Sequence, residues 1–305
     1  MANKKGPTGG GKGTNGYKVQ GKAKTKPSND AGRQRSARSA ARVASPSQTA
    51  LSVNIRCRSL AEHAAFVALR DISNLDIETY RIIGGQMVSL HVQRYGLDLP
   101  RATADADLGL VPFVLKTDET VTGLKRLGYE KVAGNRYSKN IEEGTTPTSS
   151  VIDLLVPSYQ TRIRQSVQHG DTNTTEVPGL ALAFQQDPVA IEANVEFIGG
   201  QHSAFVLQLP NEACALALKV LATKQRQKDR DAIDVWRCLE VCNAAKLTNL
   251  EFGSDHKTVT EILSRDFGKD GVGTQAVARA GGLNPVEAQK RATRIEALTK
   301  LVLGH

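Results

Sequence analysis

No stretch of this sequence approaches the roughly 18 consecutive apolar residues of a membrane-spanning helix, so the body of the chain reads as soluble. The N-terminal region also lacks the unbroken apolar segment of about 7–15 residues that a secretory signal requires. Cysteine is scarce. Cys57, Cys214, Cys238 and Cys242 are the only four, and the last two stand four apart in a helical pattern with no second pair to complete a zinc site. They read as helix-packing thiols in a reducing cytoplasm. No internal repeat is present, which excludes solenoids and propellers.

What the sequence does have is an uneven charge distribution. The chain of 305 residues carries a formal +9, but residues 1–48 hold eleven Lys and Arg against one acid, Asp30, leaving the remaining 257 residues at −1. That basic tail has almost no large apolar side chains and reads as disordered, since it cannot bury enough surface to offset the entropy of ordering. It suits either a tether for polyanions or a solubilising extension. The glycines from Gly9 to Gly13 argue against an amphipathic targeting helix. Gly6 to Lys12 imitates a phosphate-binding loop, but Gly13 takes the Ser/Thr position and no strand precedes it.

Beyond the tail, Leu60, Ala64, Ala65, Leu69 and Ile72 recur at helical spacing and predict a helix over 58–72. Tyr80 to Ile83 reads as a short strand stopped by Gly84-Gly85, with a helix from Met87 to Arg94. Ala104 to Val111 alternates acidic or small residues with Ala106, Leu108 and Leu110, as a strand with one buried face does. A helix follows near Thr120 to Leu127. Arg136 to Lys139 and Val151 to Val156 are strand candidates around a loop from Gly144 to Ser150, and the α/β unit is expected to end near Pro157. Residues 158–200 are less legible. Ser203 to Leu209 predicts a strand, and Pro210-Asn211 opens a mainly helical stretch with a second helix around Trp236 and a last one starting at Asn284-Pro285.

Candidate chemistry centres on acids. Asp105 and Asp107 lie at i and i+2, which in a strand places both on one face with Cα atoms about 6.5–7 Å apart. Paired carboxylates repel unless a cation lies between them, and magnesium takes one or two carboxylates together with phosphates and water. The alternative is a solvated strand face. Asp153 sits within Ile152-Asp153-Leu154-Leu155-Val156, where burial without a partner would cost several kcal/mol. On a neighbouring strand it would complete a two-metal site; otherwise it is an edge-strand acid facing water. Gly84-Gly85 would let backbone N–H groups and the positive end of the next helix approach phosphate oxygens, with Ser89 adding a hydroxyl. An ordinary strand–helix turn would look the same. His91 reads as a helix residue rather than a base.

Tyr80-Arg81-Ile82-Ile83-Gly84-Gly85, Leu90-His91 and Arg101-Ala102-Thr103-Ala104-Asp105-Ala106-Asp107-Leu108 together resemble the nucleotidyltransferase (polymerase-β-like) superfamily, and within it the AbiEii-like abortive-infection toxins. Lys219-Val220-Leu221-Ala222, Arg226 and Arg230-Asp231-Ala232-Ile233-Asp234 are similar to that group's helical signature. The likeness covers roughly residues 78–242. The gap from Gly85 to Asp105 is longer than in the general superfamily pattern.

The resemblance implies an enzyme that moves NMP from an NTP to an acceptor hydroxyl, with two Mg²⁺ ions as cofactors held by Asp105, Asp107 and Asp153. It implies that Lys219 contacts nucleotide phosphates, and that Arg230, Asp231 and Asp234 shape the nucleotide pocket, with Gly84, Gly85, Ser89, Arg101 and Thr103 on its other side. The spacing of Lys219, Arg226, Arg230 and Asp234 also fits a charged face on one helix. By the same resemblance the acceptor would be RNA or tRNA, a cognate antitoxin protein would be a partner, and the enzyme would be cytoplasmic. Transfer to a small molecule or a protein, or a non-catalytic nucleotide-binding module, are the rival readings. The expected fold class is α+β: a minimal nucleotidyltransferase core with a mixed sheet over 51–210, a helical C-terminal region over 211–305 and the basic tail over 1–50.

Overall fold

The computed structural model describes residues 50–99, 103–117, 119–141, 147–160, 162–169, 172–224 and 228–305. The basic tail, Arg101 and Arg226 lie outside the described residues, as does part of the 144–150 loop.

Leu51–Arg56 forms strand β1, which the sequence pattern had not flagged. Helix α1, Leu60–Ser73, starts two residues later than expected because the Ser59 hydroxyl caps it, accepting from the Glu62 N–H at 3.2 Å. Strand β2 is Tyr80–Ile83, buried throughout, and helix α2 is Gly84–Arg94. The glycines are therefore the first turn of that helix rather than a separator before it. Strand β3, Asp105–Leu110, is followed by helix α3, Glu119–Arg126, and by strands β4, Glu130–Ala133, β5, Arg136–Ile141, and β6, Thr148–Pro157.

The α/β unit does not end near Pro157. Strands β7, Arg164–His169, and β8, Thr172–Val177, return to the same sheet, because β8 pairs in parallel with the last residues of β6. Helix α4, Leu180–Gln185, and strands β9, Val189–Glu196, and β10, His202–Leu209, follow. The C-terminal part is helical as expected: α5, Glu212–Thr223, α6, Asp229–Ala244, α7, His256–Asp266, α8, Val272–Arg279, and α9, Pro285–Leu303. Asn211 caps α5, and Asn284 with Glu287 forms a capping box at α9.

The fold class is α+β with mixed sheets. The larger sheet runs β2-β3-β6-β5-β4, with β3 and β6 parallel and the β2/β3 and β5/β6 pairs antiparallel. A smaller sheet, β1-β9-β10, combines a parallel and an antiparallel pair. One edge of β6 belongs to β3. Its other edge changes partner: β5 pairs as far as Asp153 and β8 takes over from Leu155. That break opens the sheet beside Asp153. One buried apolar cluster extends from Val53 in β1 through Leu108 and Leu154 to Val302 in α9, so the sheet and the C-terminal helices share a core.

Candidate active site

At the break in the sheet lies a cleft of about 630 Å³, lined on one side by Gly84, Gly85, Thr103, Asp105, Asp107 and Asp153 and on the other by Lys219, Arg230, Asp231 and Asp234. Two elements set the first wall. Strand alternation turns Asp105 and Asp107 to the open face of β3 while Ala106 and Leu108 are fully buried behind it. In the parallel β3/β6 pair, Asp107 and Asp153 are direct Cα partners. The third carboxylate therefore stands beside the second, as the reading of 153 on a neighbouring strand requires.

The glycines make room for this arrangement. Gly84 has φ +69°, and a Cβ there would fall on the Asp107 carboxylate. A Cβ on Gly85 would meet the Thr103 hydroxyl oxygen at 2.7 Å. That hydroxyl donates to Asp105 Oδ1 at 3.3 Å, and the Gln86 amide holds the Thr103 carbonyl at 3.0 Å. Turn, threonine and both strand acids are thus one packed unit.

Sequence reading did not single out Arg136, which is the centre of the acid set. It is the Cα partner of Asp153 across β5/β6. Its Nε donates to Asp153 Oδ1 at 2.9 Å and its Nη2 to Asp153 Oδ2 at 2.6 Å, while the same Nη2 lies 3.4 Å from Asp105 Oδ2. The hydrogen bonds to Asp153, then its charge and those of Asp105 and Asp107, hold the guanidinium firmly charged against the opposing effect of burial. A cation opposite an in-strand acid leaves no mark in periodicity, because cross-strand register is not a local property.

On the second wall, Lys219 is almost buried, and its Nζ donates to Asp234 Oδ2 at 2.8 Å. Asp234 Oδ1 in turn receives Arg237 Nη1 at 3.3 Å, and Arg237 Nη2 reaches the Ser89 hydroxyl at 3.3 Å. Lys219 belongs to α5 and Arg230, Asp231 and Asp234 to α6, so the charged residues do not share one helical face; the two helices pack against each other. Ser89 does not line the cleft and instead bonds Arg237 from within α2. Leu155, Ile163, Val177, Leu218 and Ala222 add an apolar wall that the sequence had not suggested.

His91 lies outside the cleft, fully buried with Nε2 against the Pro210 carbonyl at 2.8 Å, and burial holds its pKa below the ordinary value. The four cysteines are buried and free, and burial pushes the Cys57, Cys214 and Cys238 thiols up to about 12.

Three carboxylates on adjacent strand positions supply hard oxygen donors of the kind magnesium prefers, and their mutual repulsion calls for positive charge among them. Among the described residues no three His, Cys, Asp or Glu side chains are grouped closely enough to hold a metal ion as they stand. The positive charge between Asp105 and Asp153 is supplied by the Arg136 guanidinium. The carboxylates are donors of the kind a divalent cation takes, while the place between Asp105 and Asp153 is held by the Arg136 guanidinium.

Fold and site together describe an α+β protein with an acid-walled cleft over a glycine turn. No protein-family profile and no curated protein sequence matches the chain. Among solved structures it is similar to an antigenic nucleotidyltransferase-like protein from Paracoccidioides brasiliensis, with 16% identity over 67% of this chain and 87% of that chain and a TM-score of 0.41. No described helix is long and apolar enough to cross a membrane.

Proposed function

We propose that this protein is a metal-dependent nucleotidyltransferase that moves NMP from an NTP to an acceptor hydroxyl and releases pyrophosphate. The observation that carries this reading is the meeting of Asp105, Asp107 and Asp153 beside the Gly84-Gly85 turn, with Lys219 across the same cleft. Among the described lining residues five Asp face three cations, Arg136, Lys219 and Arg230. A strongly anionic triphosphate would be repelled from such a cleft on its own, which favours its entry as a divalent-metal complex.

In this reading the first turn of α2 offers backbone N–H groups and the positive helix end to phosphate oxygens. Lys219, steadied by Asp234, supplies a compact positive charge opposite them. The apolar wall formed by Leu155, Ile163 and Val177 suits the less polar part of the nucleotide. Magnesium held by Asp105, Asp107 and Asp153 would lower the pKa of the acceptor hydroxyl and offset the charge of departing pyrophosphate. Arg230 and Asp231 border the cleft from α6 and would orient the nucleotide.

The acceptor in this proposal is RNA, with tRNA first among candidates, and the physiological setting is a cytoplasmic toxin of the AbiEii-like kind controlled by an antitoxin protein. Eleven basic side chains in the N-terminal 48 residues support capture of a polyanion. The test is incubation of the full chain with Mg²⁺, each α-labelled triphosphate in turn and total RNA. Label on RNA, pyrophosphate release and loss of both in Asp105→Ala and Asp107→Ala are expected. Undiminished labelling in those variants, or none with any triphosphate, overturns the proposal; label on a small molecule or a protein instead of RNA keeps the chemistry and replaces the acceptor.

A further inference from the structure

Arg136 occupies the carboxylates in a way that leaves little of Asp153 for anything else. Both oxygens of Asp153 accept from it, one from Nε and one from Nη2, and Nη2 also reaches Asp105. Such a two-point guanidinium–carboxylate pair is among the stronger charge-assisted contacts a protein makes. A metal ion that takes an oxygen of Asp153 meets the guanidinium charge at the same carboxylate and competes with it there.

The geometry of β5 allows that. Arg136 is the first residue of the strand, directly after the Gly134-Asn135 turn, where Gly134 has φ +44°. The turn is fastened independently: the Leu154 N–H donates to the Asn135 carbonyl at 2.9 Å and the Asn135 amide donates to the Leu154 carbonyl at 3.1 Å. The Arg136 side chain is 45% exposed and that of Asp153 only 12%. The guanidinium can thus withdraw toward solvent on its flexible stem while the acid and the backbone stay where they are.

We infer that Arg136 is the resident counter-ion of this site: it holds Asp153 and Asp105 when no divalent cation is bound and is displaced from them when one enters. This inference rests on the metal-binding reading given above and adds a consequence to it. Metal alone competes with an intramolecular cation and binds weakly. A metal–triphosphate complex brings phosphate oxygens that give the displaced guanidinium a new two-point anionic partner, so loading of metal becomes coupled to loading of nucleotide.

The experiment is Mn²⁺ binding to the full-length chain, followed by electron paramagnetic resonance, without nucleotide. Arg136→Gln removes the competing charge at similar volume and is expected to bind Mn²⁺ about tenfold more tightly than the wild type, as the loss of one such pair from the competition requires. Arg136→Lys, which keeps the charge but not the two-point fork, is expected to fall between them and serves if the Gln variant does not fold. Without metal the Gln variant should melt below the wild type, and Mn²⁺ should raise its melting temperature more than it raises that of the wild type. Equal or weaker Mn²⁺ affinity in the variants, with binding still abolished by Asp107→Asn, overturns the counter-ion role and leaves the metal site standing. Absence of Mn²⁺ binding to every one of these proteins, even with a non-hydrolysable triphosphate present, overturns the metal reading and this inference together.

Discussion

Asp107 on β3 and Asp153 on β6 are Cα partners in a parallel pair, and this register puts two acids side by side on a face that also carries Asp105. Adjacent carboxylates at this spacing repel one another, and the Arg136 guanidinium paired with Asp153 and Asp105 offsets that repulsion.

Asp153→Asn keeps the size of the side chain and removes its charge. Nucleotidyl transfer is expected to fall by about 10²-fold or more, the scale of several kcal/mol of lost metal-mediated stabilisation, with an unchanged far-ultraviolet circular dichroism spectrum. Transfer at the wild-type rate would remove Asp153 from the site.

Gly84→Ala and Gly96→Ala form a matched pair. Both positions have positive φ, +69° and +62°, so both variants bear a backbone cost of about 1–2 kcal/mol. A Cβ at Gly96 meets nothing within 4 Å, whereas one at Gly84 falls on the Asp107 carboxylate. Urea denaturation should show Gly84→Ala to be the less stable of the two, and only that variant should lose transfer activity. Equal effects at the two positions would mean that the contact with Asp107 is unimportant.

Asp234 lies between two nearly buried cations, with Lys219 on one oxygen and Arg237 on the other. Removing it takes a shared carboxylate from two cations in the interior, so Asp234→Ala should cost about 3–5 kcal/mol. Lys219→Met should cost less, because Asp234 keeps Arg237. Chemical denaturation curves that rank the two in the opposite order would contradict this account of the network.

Burial pushes the thiols of Cys57, Cys214 and Cys238 up to about 12, and it raises Cys242 in the same direction. At pH 8 the reactive thiolate is therefore a very small fraction of each. Ellman's reagent should react slowly with the native protein and with four thiols after denaturation. Rapid reaction of the native chain would show that these helices and strands open easily.

Much of the local structure was legible because it is encoded locally. The strand at Tyr80, the acids at 105 and 107 on one face and the helix starts at Asn211 and Asn284 all follow from residue spacing and helix-start chemistry within a few positions. β1 carries a readable signal that went unused, since Leu51, Val53 and Ile55 alternate with Ser52, Asn54 and Arg56 as in a strand with one buried face, and it is held by parallel pairing with β9, far away in the chain. The region from 158 to 200 was opaque for a different reason. β7 and β8 are rich in polar residues and owe their strand conformation to each other and to the end of β6.

By itself, then, the sequence determined which side chains could do chemistry and on which face of its own element each would lie, since helix and strand periods are fixed by backbone geometry. Only the tertiary structure decided that Asp153 stands beside Asp107, that Arg136 bridges the acids, and that Lys219 is turned to Asp234 on a separate helix. Those relations depend on register between distant strands and on how two helices pack against each other, and both are set by burial of a common core rather than by any short stretch of residues.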